Sequence, residues 1–329
     1  MSGKRWFLGV VLVCGLVVGG HAARVSAAAG TCASYPVQVP RTDPQPTSIA
    51  RGRDGNLWFI ESNTNRIGRI TPNGRVTAYP IPTYSVPVDL VAGPDGNLWF
   101  AESGYNGNAI GRVTPRGSVH EFCLPHAESK PAGLTVGPDH NLWFIETGDT
   151  PRLGRIAPSG AIHEFPLRRS DLARLVAGPD GNLWAIDSQG IVRVSLHGNI
   201  TQIAMQTTPY SGLVGLTVGP DGALWATEFS GYYIYRITTA GSVTRFGTGG
   251  MSGGGAITRG PDGNLWFIVR AGIGRITPRG AITLFTLPHV DAGPDDITAG
   301  PDGALWFTEQ GGDRIGRITT RGTITEFPL

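Results

Sequence analysis

Seven tryptophans, Trp58, Trp99, Trp143, Trp184, Trp225, Trp266 and Trp306, fall 41, 44, 41, 41, 41 and 40 residues apart, each inside a near copy of one phrase. The copy that ends the chain reads GPDGALWFTEQGGDRIGRITTRGTITEFPL, Gly300 to Leu329. A period of about 40–45 residues built of short strands marks a propeller blade, in which each repeat buries its apolar face against the next. Each copy divides into a short apolar strand, a tight turn around Pro-Asp-Gly, a strand around Leu-Trp, a loop, a strand ending in Arg and an apolar residue, a second glycine turn and a last strand such as ITEFPL. Apolar and polar residues alternate, and no stretch sustains a helical period. The expected fold is all-β, a seven-bladed β-propeller of four-stranded antiparallel blades over residues 41–329.

A length of 329 residues would ordinarily suggest two domains, but a closed repeat array exceeds that size as one body. The 49 glycines and 25 prolines supply the turns, and 40% apolar against 16% charged residues argues against disorder. A net charge of +2 without basic runs gives no footprint for nucleic acid or an anionic membrane. Residues 1–29 hold Lys4 and Arg5, an apolar stretch from Trp6 to Gly20 and then small residues, the pattern of a secretory signal cleaved after Ala27 or Ala29. The chain is therefore expected to be secreted or periplasmic, an uncleaved N-terminal anchor being the alternative. Cleavage removes Cys14 and leaves Cys32 and Cys123 in an oxidising compartment, where their pairing stays open. Residues 30–40 form a tail in which Tyr35 to Pro40 reads as an outer strand; it competes with ITEFPL for the edge of the last blade. Nothing signals an oligomer, and a monomer is expected.

Two further positions recur in every copy. The turn carboxylates are Asp54, Asp95, Asp139, Asp180, Asp221, Asp262 and Asp302; the third strands carry Arg69, Arg112, Arg155, Arg193, Arg236, Arg275 and Arg317. A residue present in every blade belongs to the frame, because a ligand site is local. The aspartates are expected to satisfy backbone N–H groups of their turns, and the arginines to pair with acceptors between blades. A glycine precedes most of these arginines, as at Gly68, Gly111, Gly154, Gly274 and Gly316, and is expected to make room for a repeat tryptophan.

The line GPDGNLWFAE, followed by NRIGRIT and a closing ITEFPL, resembles the virginiamycin B lyase, or streptogramin lyase, family across all seven repeats. That resemblance implies a seven-bladed propeller that opens a cyclic depsipeptide antibiotic by elimination at an ester, with a histidine base and Mg2+. Elimination of this kind takes a proton alpha to a carbonyl and needs a cation to hold the developing charge. In the family these groups lie in the loops leading into the last two blades: a Pro-His before each first strand, a Glu before the final Pro-His, and a Glu four residues after the last tryptophan. Here Gly255 stands at the first histidine position, Gly293 at the Glu, Asp295 at the second histidine and Gln310 at the last Glu. The lead-in positions of the blades are Thr47, Val88, Ala132, Ala173, Val214, Gly255 and Asp295, so no renumbering of blades restores the histidine. Asp295 is the one candidate base, expected to sit near an ordinary carboxylate pKa of about 4 and so to be weak for carbon-acid chemistry. His126 and His289 follow Leu-Pro in the connections between blades and are expected to be surface residues without a cooperating carboxylate.

Three residues after each tryptophan come Glu61, Glu102, Glu146, Asp187, Glu228, Val269 and Glu309. Either each acid caps backbone groups of its own loop, or the set forms an acidic ring that concentrates a cation or cationic ligand over the channel. Blade six departs most, with Val269 and Arg270 in place of the acid and a lead-in loop, GTGGMSGGGA, holding six glycines. Tyr84, Tyr105, Tyr210, Tyr232 and Phe229 are the aromatic residues available to that face. The candidate ligand face is thus Glu61, Glu102, Glu146, Glu228, Arg270, Asp295, Glu309 and Gln310, suited to a small molecule, peptide or glycan. Two functions follow: a secreted lyase-like propeller that binds a ligand or a protein without the family's catalytic set and without an assured cofactor, or an active lyase using Mg2+.

Overall fold

The computed structural model describes residues 42–329 apart from 84, 104–107, 127, 206–211, 251–252 and 290. Seven four-stranded sheets, each an antiparallel meander in chain order, form blades over residues 46–80, 87–123, 131–166, 173–203, 213–247, 257–286 and 294–328. The first strand of each blade touches the first strand of the next, and the ring closes between Pro294–Ala299 and Pro46–Arg51. First strands therefore line a central channel, and fourth strands form the outer wall. Among the described residues the sole helical element is the 3-10 turn Gln310–Gly312, and no helix is long and apolar enough to cross a membrane.

The repeat phrase builds one module seven times. Each repeat tryptophan is fully buried, and its indole lies against the glycine that opens the strand-one turn, leaving no space there for a Cβ. The indole Nε1–H donates to the turn aspartate at 2.8–3.2 Å in all seven blades. The same carboxylate accepts a backbone N–H two residues on, as in Asn56 to Asp54 and Asn97 to Asp95. Hydrogen bonds to a charged group contribute about 1.5–3 kcal/mol each. At Asp95, Asp139 and Asp302 partial burial works against the charged form, but the hydrogen bonds outweigh it and hold the carboxyl below its ordinary value.

The third-strand arginine completes the module. Arg236 and Arg317 sit 2.5 and 2.6 Å from their turn aspartates. Arg69, Arg112 and Arg275 donate to carbonyls of Pro115, Pro158 and Thr320 in the following blade at 3.0–3.1 Å. Beneath them the tryptophan stacks on an outer-strand aromatic residue, for example Trp99 on Phe122 and Trp306 on Phe327, both at 5.4 Å. Aspartates and arginines are thus frame residues that join turns and blades.

The glycine before each arginine does something other than expected. Gly68, Gly111, Gly154, Gly274 and Gly316 pair across the sheet with Phe59, Phe100, Phe144, Phe267 and Phe307, and a Cβ would fall inside those rings. The close approach thus serves the phenylalanine beside the tryptophan, because side chains alternate faces along a strand and the two aromatics point to opposite sides.

The last blade takes its outer strand, Ile324–Pro328, from the C-terminus. Polar contacts then tie blade seven to blade one: Asp296 accepts from Ile49 N at 2.9 Å and Ser48 Oγ at 3.1 Å, and Asp313 accepts from Gln45 N at 2.9 Å. The tail Tyr35 to Pro40 and the N-terminal 1–29 segment lie outside the described residues. Cys123 is disulfide-bonded, and the chain's other two cysteines lie in that same undescribed part.

Gly154→Ala is expected to destabilise the protein by about 1–3 kcal/mol through overpacking against Phe144. Thermal denaturation checks this; an unchanged midpoint would show that the sheet opens freely there.

Candidate functional site

Loops leading into the first strands, and loops joining second to third strands, open on the face opposite the aspartate turns. There the first strands bulge: their pairing with the second strand slips between Pro46 and Ile49, Val88 and Leu90, Ala173 and Val176, and Pro294 and Ile297. A bulge re-aims one side chain, and at these places it presents Ser48, Asp89, Arg174 and Asp296. Asp89 and Arg174 adopt the left-handed backbone, φ 48° and 51°.

These side chains meet across the channel although they come from different blades. Asp89 Oδ2 accepts from Gly133 N at 2.6 Å, while its Oδ1 lies 3.8 Å from Arg174. Ser48 Oγ accepts from Leu90 N at 3.0 Å, continuing the chain of contacts that begins at Asp296. Asp295 projects into this space. It is open to channel water, but the wall around it removes most bulk solvent, and that loss pushes its carboxyl up; Arg174 pulls it down and Asp89 adds to the rise. Burial likewise raises Asp296, against hydrogen bonds from Ile49 and the pull of Arg174. Asp295 therefore does not keep the ordinary pKa expected of an exposed carboxylate. Sequence reasoning missed Ser48, Asp89, Arg174 and Asp296; their signal was the wide variation, from Gly to Arg, at one position of an otherwise repeated strand.

The acids three residues past the tryptophans do not line the channel. Glu61, Glu102, Glu146, Asp187, Glu228 and Glu309 are all buried. Glu61 lies 2.7 Å from Thr64 and Glu228 3.3 Å from Tyr235 of the same blade, and Asp187 lies 2.7 Å from Arg169 in the connection before its blade. Among the described hydrogen bonds, only Gln189 N to Asp187, at 2.8 Å, is of the loop-capping kind. In three blades the acid faces a second carboxylate from the outer strand: Glu102 with Glu121, Glu146 with Glu164 and Glu309 with Glu326. Burial first, and the neighbouring carboxylate second, push Glu102, Glu146 and Glu309 each to about 7.

The connections between blades reach the same pairs. Thr83 Oγ1 lies 2.9 Å from Glu102 and 2.8 Å from Glu121. His126 Nδ1 is 2.8 Å from Glu164, and His289 Nδ1 is 2.6 Å from Glu326. The expectation that neither histidine has a cooperating carboxylate is therefore corrected: the partner lies in the outer strand of the next blade, about 37 residues away in sequence and invisible to local spacing. Arg270 is exposed in the turn between Val269 and Gly272, and Gln310 is exposed with its N–H on Gly293 O at 3.0 Å. Phe229 and Tyr232 are exposed on blade five; Tyr84, Tyr105 and Tyr210 lie outside the described residues.

The sequence profile of the virginiamycin B lyase family matches residues 19–174 and 168–329. The chain belongs to the virginiamycin B lyase family. A structure of a streptogramin B lyase superposes with a TM-score of 0.76 at 31% identity, covering 88% of this chain and 95% of that one. Virginiamycin B lyase from Staphylococcus aureus gives 0.74 at 34% identity, covering 85% and 97%. A catalytically inactive histidine-to-alanine variant of that enzyme with quinupristin gives 0.75 at the same identity and coverage. No curated protein sequence matches the chain.

The positions at which the resemblance places catalytic groups hold other residues here. A Cβ at Gly255 would lie 2.9 Å from Ile268 Cβ, so a histidine has no room without displacement. Gly293 has φ 55°, and its Cβ would lie 3.1 Å from Gly311 N, so a glutamate there would be strained. What remains is one carboxylate, Asp295, and one neutral amide, Gln310, while Glu309 turns inward. Mg2+ takes carboxylates and water in near-octahedral geometry, and this donor set does not assemble one.

The buried pairs make stability depend on pH. A carboxyl whose folded pKa lies above its unfolded value keeps its proton in the folded chain, so stability falls as pH rises from about 4.5 to 7. Glu102→Gln, neutral and of equal size, is expected to raise the melting temperature at pH 8 by about 2 °C or more and to change little at pH 5. Scanning calorimetry across that range reads the difference; equal effects at both pH values would remove the pairing.

Proposed function

We propose that this protein is a ligand-binding propeller of the virginiamycin B lyase family that does not carry out the elimination chemistry of its relatives. The observation behind this reading is the set of seven lead-in positions, none of them histidine, together with Gly255 and Gly293 closed off by Ile268 and Gly311. The Staphylococcus aureus relative loses activity when one histidine is replaced by alanine, and this chain offers no histidine at the corresponding places. Asp295 is the only carboxylate at one of these positions, and the groups beside it, Arg174, Asp89 and Asp296, include no histidine to share the proton transfer.

The mouth of the channel supplies binding groups instead. Asp89, Asp295 and Asp296 face one arginine, Arg174, and the excess of negative charge favours a polar or cationic small molecule, peptide or glycan. Exposed Phe229 and Tyr232 offer apolar contact on blade five. The N-terminal signal pattern supports export, to the periplasm or beyond it.

Incubating the purified protein with a streptogramin B antibiotic and Mg2+ tests the reading. Reversed-phase chromatography is expected to show no ring opening above the buffer rate. Rapid opening that Asp295→Ala abolishes would establish the protein as an active lyase.

A further inference from the structure

The seam between blades two and three holds a cluster that neither the frame nor the channel uses. His126, from the connection into blade three, and Glu146 and Glu164, from its second and outer strands, bring one ligand atom each to within 4.8 Å of one another. This is the one such trio of His, Cys, Asp or Glu among the described residues.

Glu146 is 0% exposed, and neither of its carboxylate oxygens accepts a hydrogen bond; Glu164 Oε1 is likewise buried and without one. The nearest cation is Arg152, whose guanidinium nitrogens stay 3.8 Å from Glu146 and from Glu164. Two carboxylates thus face one arginine that approaches neither closely, so the buried pair needs either a shared proton or a cation. A cavity of about 490 Å³ lies beside the cluster, lined by His126 and Arg152 together with Pro125, Glu128, Asp149 and Thr150, and His126 is partly exposed to it. The related seam of blade seven has His289 on Glu326 and Glu309 nearby, but its atoms do not gather into such a trio.

We propose that His126, Glu146 and Glu164 form a binding site for a divalent transition-metal ion, Zn2+ in the first instance, separate from the channel and independent of the function proposed for it. One imidazole nitrogen with two carboxylate oxygens suits Zn2+, whereas Mg2+ and Ca2+ prefer oxygen alone. Tetrahedral zinc with bonds of about 2.0–2.2 Å sets its ligand atoms roughly 3.3 Å apart. That spacing lies between the 2.8 Å of His126 to Glu164 and the 4.8 Å span of the trio. Three protein ligands leave a fourth position facing the cavity, where water or a small anionic ligand would bind. The two carboxylates match the charge of the ion, and Arg152 beside them adds one positive charge that suits an anionic fourth ligand.

Isothermal titration of untagged, chelator-treated protein with ZnCl2 tests the site, with CoCl2 giving the visible spectrum of a tetrahedral ion. One ion per chain is expected. His126→Ala and Glu146→Gln should each weaken binding by about 100-fold or more, while His289→Ala should leave it unchanged. Absence of saturable binding, binding that survives His126→Ala, or an equal loss in His289→Ala would overturn the proposal. His126→Ala keeps the test valid if Glu146→Gln fails to fold, because the histidine is partly exposed.

Discussion

A buried indole needs an acceptor for its N–H, and meeting that need in every blade organises this protein. The turn aspartate takes the Trp Nε1–H and a backbone N–H together, so one carboxylate fixes both the tight turn and the position of the largest side chain in the blade. The glycine under the indole, the aromatic ring stacked on it and the arginine that reaches the next blade are consequences of that placement. Removing the aspartate would leave a buried donor unpaired and free the arginine that ties neighbouring blades. The frame is thereby independent of whatever lies at the channel mouth.

That independence lets the opposite face vary. The same position in the first strand can be Ser48, Asp89, Gly133, Arg174, Gly215, Ala256 or Asp296 without cost to the Trp module some ten residues on. Where these side chains are polar they also bind blade to blade, as Asp296 to Ile49, Ser48 to Leu90 and Asp89 to Gly133. At Gly255 the space that a side chain would take is filled by Ile268. The buried glutamates are a second layer, at the seams between blades, where protonation or a metal ion can neutralise a pair that geometry forces together.

The fold was legible in the sequence because its cause is periodic: Trp, Asp and Arg recur at fixed spacing, and spacing is what a sequence displays. The glycine partners were misjudged because Phe144 and Trp143 are adjacent in the chain but point to opposite sides of the strand, and only pairing across the sheet shows that Gly154 meets the former. The channel cluster was hidden for another reason. Asp89 and Arg174 are far apart in sequence and meet only because two bulges turn them to a common axis. His126 with Glu164 shares that character, since the histidine belongs to one blade's exit and the acid to the next blade's edge. The acids after each tryptophan could be read as loop caps or as a ring because a sequence shows their height along the strand and not their direction, which is inward to the blade.

This chain keeps the propeller of the virginiamycin B lyase family, and we propose that the mouth of its channel binds without eliminating. A crystal structure determined after soaking with quinupristin and MgCl2 measures this directly. An intact ring in any bound antibiotic and no magnesium between Asp295 and Gln310 are expected. A hydrated magnesium ion held there, with an opened ring beside Asp295, would contradict it.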